Sequence, residues 1–201
     1  DHITTCLDDS SLDGVGLLAE GPVRPVGIAS VKTGKSHCRG VEARSREVFE
    51  YLADTRSLEE WTYSLRGFEP TDTPELWVSY DRLGDQTKCF AKTVANADAM
   101  TVDYHCAWDQ GEHLWMIYLM RVVDAQLVLD RPGSVVLWNN CHHPFYDENP
   151  YPETAPPERP VWVGDFWDMF SAGHQLEMDN LKAICEYRAQ HGLPIKPAWM
   201  D

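Results

Sequence analysis

The 201-residue chain carries no CxxC pair, no GxSxG elbow, no GxxxxGK[ST] phosphate loop and no GxGxxG dinucleotide fingerprint. Nucleophilic hydrolysis and nucleotide chemistry therefore lack the residues they need at the spacing they need. Basic residues are scarce: 17 Lys and Arg against 32 Asp and Glu leave a net charge of −15. That sign opposes binding to nucleic acid or to an anionic membrane surface. No apolar run reaches membrane-spanning length, and the start lacks the basic-then-apolar order of a signal peptide, so a cytoplasmic protein without membrane insertion is expected. The six cysteines (Cys6, Cys38, Cys89, Cys106, Cys141, Cys185) are scattered through strand- and helix-like segments. A zinc cluster is not indicated and a chain this long needs no disulfide framework, so they read as reduced thiols. What is plentiful is aromatic surface. The 8 Trp and 8 Tyr can pack a core, and they can also wall a pocket for a flat or greasy ligand.

The longest periodic segment runs from about Phe166 to His191. Trp167, Phe170, His174, Met178, Leu181 and Cys185 fall in one stripe at 100° per residue, with Gln175, Asp179, Lys182 and Glu186 opposite. Asp165 is placed as N-cap, Asp168 complements the dipole, Gly192 is placed as the left-handed stop, and Pro194 follows. Such a helix is roughly 39 Å long at ~1.5 Å per residue, enough to cross a small domain. Upstream the sequence reads as strands: Ser30–Ala43, Leu65–Glu69, Leu76–Asp81, Thr87–Ala95, Thr101–Asp109, His113 to about Ala125, and Ser134–His142. Two short helices follow the first strand, one opened by Ser45 as N-cap and one ending at Trp61, which is placed to close one end of the core. The expected fold class is α+β, a curved antiparallel sheet of about seven strands gripping the long C-terminal helix. The strand after His113 is apolar on both faces and calls for cover outside as well as inside. The Gly- and Pro-rich stretch 1–29, read as an irregular extension, is one candidate cover; a second subunit, making a homodimer, is the other. The proline-rich loop 143–160 carries Phe145, Tyr146 and Tyr151 and reads as a lid.

The run Val41-Glu42-Ala43-Arg44-Ser45-Arg46-Glu47-Val48-Phe49-Glu50-Tyr51-Leu52-Ala53-Asp54, continued by Leu58-Glu59-Glu60-Trp61, resembles the opening of the START/Bet v 1-like superfamily, also called the polyketide cyclase or SRPBCC fold. The resemblance extends by pattern over about 30–191 and departs from the family in the N-terminal extension and the long loop before the last helix. It implies a domain at 30–201, a deep hydrophobic cavity between sheet and helix, and a hydrophobic small-molecule substrate. It also implies a choice of roles: biosynthetic cyclase, aromatase or dehydratase acting on polyketide- or terpenoid-like intermediates, or carrier of an apolar ligand. The fold does not fix the chemistry. The residues then expected to line the cavity are Trp61, Tyr63, Phe90, Trp108, Tyr118, Tyr146, Tyr151, Trp167, Phe170 and Met178.

Four residues are candidates for chemistry. His174 and Glu177 lie one turn apart on or beside the buried stripe, where a neutral imidazole beside a carboxyl can move protons; a core-edge pair bonded to the sheet is the alternative. Tyr104 shares a strand face with Trp108 and can donate to a developing enolate oxygen, or simply pack. His142, with His143 at the end of the last strand and Tyr146, Asp147 and Glu148 behind it, suits a polar role at the cavity mouth. A metal-dependent lyase or oxygenase using both histidines is a third functional class, but their spacing is no recognised ligand signature, so no metal or other cofactor is assigned. Arg121, inside an apolar strand, is expected to pair with a carboxylate such as Asp103.

Overall fold

The computed structural model describes residues 34–81, 87–108, 112–154 and 163–201. The extension at 1–29, the first residues of the expected opening strand, the Gly84-Asp85 turn, most of the loop at 110–112 and Pro156, Pro157 and Pro160 of the lid lie outside them. Within them, seven antiparallel strands form one sheet: β1 (Gly34–Val41), β2 (Leu65–Pro70), β3 (Trp77–Asp81), β4 (Thr87–Asn96), β5 (Thr101–Trp108), β6 (Met116–Asp124) and β7 (Ser134–Cys141). Their order is β1-β7-β6-β5-β4-β3-β2. The chain crosses from β1 to the far edge through α1 (Ser45–Leu52), a 3-10 turn at Thr55–Ser57 and α2 (Leu58–Trp61). A short α3 (Ala125–Leu129), capped by Asp124, joins β6 to β7, and α4 (Trp167–Gln190) closes the fold. This is the α+β helix-grip architecture the periodicities indicate.

Register explains how the inner face is built. Val102, Tyr104 and Cys106 on β5 stand opposite Met120, Tyr118 and Met116 on β6, and Val136, Trp138 and Asn140 continue the same layer on β7. Large side chains thus meet across adjacent strands, the contact that stabilises a sheet face. β6 is buried on one face only: Met116, Met120 and Val122 are buried, whereas Ile117 and Leu119 are 37% and 39% exposed. Arg121 is exposed on that outer face rather than buried in an ion pair.

Helix α4 presents Trp167, His174, Met178, Leu181 and Cys185 to the core, each apolar side chain stabilising the packed state by about 1.5–3 kcal/mol. The residues opposite the stripe do not face bulk solvent alone. Asp179 accepts from Arg39 Nε at 2.6 Å, Lys182 donates to the Gly40 carbonyl at 3.0 Å, and Glu186 accepts from the Glu42 amide at 2.9 Å. This seam holds the helix to the edge strand β1 and occupies backbone groups that an open edge leaves unpaired. At the other side Arg188 makes a bidentate pair with Glu60 of α2 at 2.7 and 2.9 Å. The helix stops as expected: Gly192 has φ +66°, its amide bonds the Ala189 carbonyl and the Leu193 amide bonds the Arg188 carbonyl, a Schellman motif.

The N-termini differ from the sequence reading. Phe166, not Asp165, holds the cap position of α4, because a 3-10 turn at Val163–Phe166 runs directly into the helix. Arg44, not Ser45, caps α1, and neither position makes a side-chain cap bond.

At Gly173 the helix passes close to Tyr63 in the segment between α2 and β2: a Cβ there would sit 2.9 Å from Tyr63 Cε1. Replacing a mid-helix glycine ordinarily gains helix propensity, about 0.5–1 kcal/mol for alanine. Here Gly173→Val is expected to destabilise by about 1–3 kcal/mol in urea denaturation because Tyr63 must shift. A more stable variant would contradict this packing.

Candidate functional site

Between the concave face and α4 lies a small internal cavity of about 60 Å³. Trp61 and Tyr63 bound it at the α2 end, Tyr104, Trp108 and Tyr118 along the sheet, and Phe170, His174 and Glu177 from the helix. Trp138 of β7 and Cys89 of β4 also reach it. A volume of this size holds only a few waters. A larger groove, about 860 Å³, opens at the C-terminal end of α4 beside Gly40–Arg44 and Arg131–Ser134. There Arg44 is paired with Glu47 and Lys182 with Glu186. The smaller cavity is where unpaired chemistry converges.

His174 and Glu177 are each 6% exposed and sit on successive turns of α4. Glu177 accepts a single backbone bond, from the Tyr63 amide at 3.3 Å. Burial raises its pKa to about 8, against opposing effects of that bond and of Arg66. Burial lowers that of His174 to about 3, helped by the nearby His37 and Lys35. At neutral pH the cavity therefore carries a protonated carboxylic acid and a neutral imidazole.

Tyr104 lies in the wall, but its hydroxyl donates to the Leu52 carbonyl at 2.6 Å. Its proton is committed to the fold, so the expected role as donor to a substrate oxygen is corrected to a structural one; burial also raises its pKa. Phe90 is the second correction. On β4 the small residues Cys89 and Ala91 are buried, and strand alternation turns Phe90 to the opposite face, away from the cavity. Met178 packs in the core beneath the site without lining it.

The lid aromatics form a layer beside the cavity rather than its wall. Tyr146 is buried, with its ring 4.7 Å from Trp115 and 4.6 Å from Trp167, and burial pushes its phenol up to about 12. Tyr151 stacks on His113 at 3.8 Å. His142 lies outside the cavity, with its ring 4.6 Å from Trp167 and Nε2 3.4 Å from Asp147. His143 points elsewhere, its Nδ1 accepting from the Phe145 amide at 3.1 Å. The two histidines do not converge, and among the described residues no three His, Cys, Asp or Glu side chains are grouped to hold a metal.

Sequence reading missed His37 and Trp138. Trp138 and His174 rings are 4.3 Å apart, and His37 stands 5.8 Å from His174. The alternation Val136, Trp138, Asn140 within β7 was the available signal for Trp138; none marked His37.

The pKa shifts fix a stability profile. Glu177, raised from 4.5 to about 8, withdraws stability as pH rises through that interval, because the unfolded chain loses its proton first. His174, lowered from 6.5 to about 3, withdraws stability as pH falls through its interval. The two slopes cancel between 4.5 and 6.5, where their joint contribution is greatest. Urea denaturation across pH 4–9 is expected to show Glu177→Gln gaining on the native protein above pH ~4.5, by up to about 1.4 kcal/mol per pH unit. A pH-independent difference would contradict the buried acid.

No family model matches the chain, and neither does any curated protein. Solved structures do. The ZhuI aromatase/cyclase from Streptomyces sp. R1128 is 14% identical over 78% of this chain and 94% of its own, with a TM-score of 0.51. XoxI from Bacillus cereus is 12% identical over 76% and 95%, at 0.54. The Aha1 dimer from Colwellia psychrerythraea is 13% identical over 76% and 96%, at 0.50. At such identity the likeness carries the fold and not the activity. The chain thus shares with these structures the helix-grip fold, a curved antiparallel sheet closed by a long C-terminal helix.

Proposed function

We propose that the protein is a biosynthetic cyclase or dehydratase that holds a hydrophobic polyketide- or terpenoid-like intermediate between sheet and helix. The observation that carries this reading is the pairing of a protonated Glu177 with a neutral His174 at one aromatic-walled cavity. A carrier of apolar ligands has no use for a buried carboxyl, whose burial costs free energy; an acid/base enzyme needs such a pair. The resemblance of the fold to an aromatase/cyclase agrees with this class.

In the proposed step, Glu177 gives its proton to a substrate carbonyl oxygen while His174 takes one from the carbon next to a second carbonyl. The enol carbon so formed attacks the protonated carbonyl carbon, closing a ring C–C bond and leaving a hydroxyl. Loss of that hydroxyl as water, with the proton on His174 delivered to the leaving oxygen and the Glu177 carboxylate taking the remaining proton of the attacking carbon, gives the dehydrated ring and restores both groups. His174 is a weak base while Glu177 is neutral. Once Glu177 has ionised, its carboxylate one turn away stabilises the imidazolium, so the two transfers support each other. The wall residues Trp61, Trp108 and Phe170 hold the chain in its reactive conformer. Since the cavity holds only about 60 Å³, substrate entry requires Phe170, Trp167 and the lid aromatics Phe145, Tyr146 and Tyr151 to move outward, and their return excludes water.

The test is a product profile in a host that supplies a reactive poly-β-ketone chain. His174→Phe and Glu177→Gln, each shown to fold by circular dichroism, are expected to lower the cyclised product at least about tenfold. An unchanged profile with both variants would remove the acid/base role.

A further inference from the structure

Three rings from three elements meet beside the cavity: His37 of β1, Trp138 of β7 and His174 of α4. Their centroids are separated by 6.1 Å (His37–Trp138), 5.8 Å (His37–His174) and 4.3 Å (Trp138–His174). Each presents a buried ring nitrogen with no hydrogen-bond partner, namely His37 Nε2, Trp138 Nε1 and His174 Nδ1. A buried polar atom left unmet is costly and folded proteins rarely leave one, so three at a single place point to something that binds there.

The donors and acceptors at this place narrow what it binds. His37 has a side-chain hydrogen bond to Gln175; since Nε2 has no partner, that bond is made from Nδ1. That bond favours the protonated ring, so His37 Nδ1–H donates and the Gln175 carbonyl oxygen accepts, while the Gln175 amide nitrogen donates to Asp179 at 3.2 Å. His37 Nε2 therefore offers a lone pair, whereas Trp138 Nε1 can only donate. A single atom that met both would have to accept from Trp138 and donate to His37. A hydroxyl does both; a ketone or carboxylate oxygen does only the first and an ammonium only the second.

We propose that His37, Trp138 and His174 form a binding site for a hydroxyl group of the ligand, of the enol or phenol class. This rests on the cavity being a ligand site, as proposed above, and adds the polar group by which a ligand is oriented in it. His174, shared between the wall and the three-ring site, would set that hydroxyl next to the reacting carbon.

Phenol and toluene, equal in shape and different in the hydroxyl, are suitable probes. Their affinities for the full-length protein are measured by NMR titration, with His37→Leu and Trp138→Phe as independent variants. The expected result is a fall of about tenfold in the ratio of phenol to toluene affinity in each variant that folds, with toluene affinity retained. A ratio unchanged by both substitutions overturns the assignment and leaves the three nitrogens to bound water alone, while the cavity reading stands. Failure of both probes to bind overturns the assignment and the cavity reading together.

Discussion

The structure depends on the desolvation of two ionisable groups against an aromatic wall. Glu177 and His174 belong to the helix that the sheet grips, so the packing that buries Met178 and Leu181 also removes their water. Neither has the partner that would hold its charge: Glu177 has one backbone donor, and His174 leaves Nδ1 unmet. Each therefore takes its neutral form, which sets an acid and a base side by side. A salt bridge at the same positions would have held both groups charged and produced no such pair.

The fold tolerates this because the same helix is secured elsewhere. Its polar side is bonded to the edge strand through Arg39–Asp179, Lys182 to the Gly40 carbonyl and Glu186 to the Glu42 amide. Its C-terminal half is clamped by Arg188 to Glu60. Its N-terminal half, from Trp167 to His174, meets mainly aromatic rings: Tyr146, His142, Trp138 and Tyr118. Such contacts are less directional than charge-assisted bonds. The end that the proposed ligand would pass is thus held mainly by contacts between rings.

Strand and helix periods in the sequence were enough to place all seven strands and the long helix, because alternation at Val102, Tyr104 and Cys106 and the stripe from Trp167 to Cys185 are local properties. That His174 and Glu177 are neighbours was legible for the same reason: they lie one turn apart on or beside that stripe. What lay between segments was not. The donation of Tyr104 to Leu52 spans 52 residues, so no local pattern could reveal that its hydroxyl was already in use. Phe90 was misplaced because size suggests an inward role, yet the inward positions of β4 hold the small residues Cys89 and Ala91, opposite Trp108 and Cys106 of β5. His37 went unseen because Lys35, His37 and Arg39 make the inward face of β1 look polar, and only the seam with α4 explains why it is.

The central claim is that Glu177 stays protonated at neutral pH inside this cavity. A titration of its side-chain carboxyl by ¹³C NMR, assigned with Glu177→Gln, reads that directly. The expected result is a midpoint near 8, with no change in charge between pH 4 and 6. A midpoint in the ordinary glutamate range, about 4.3, would mean that the carboxyl is ionised and hydrated, and the acid/base reading of the cavity would fall with it.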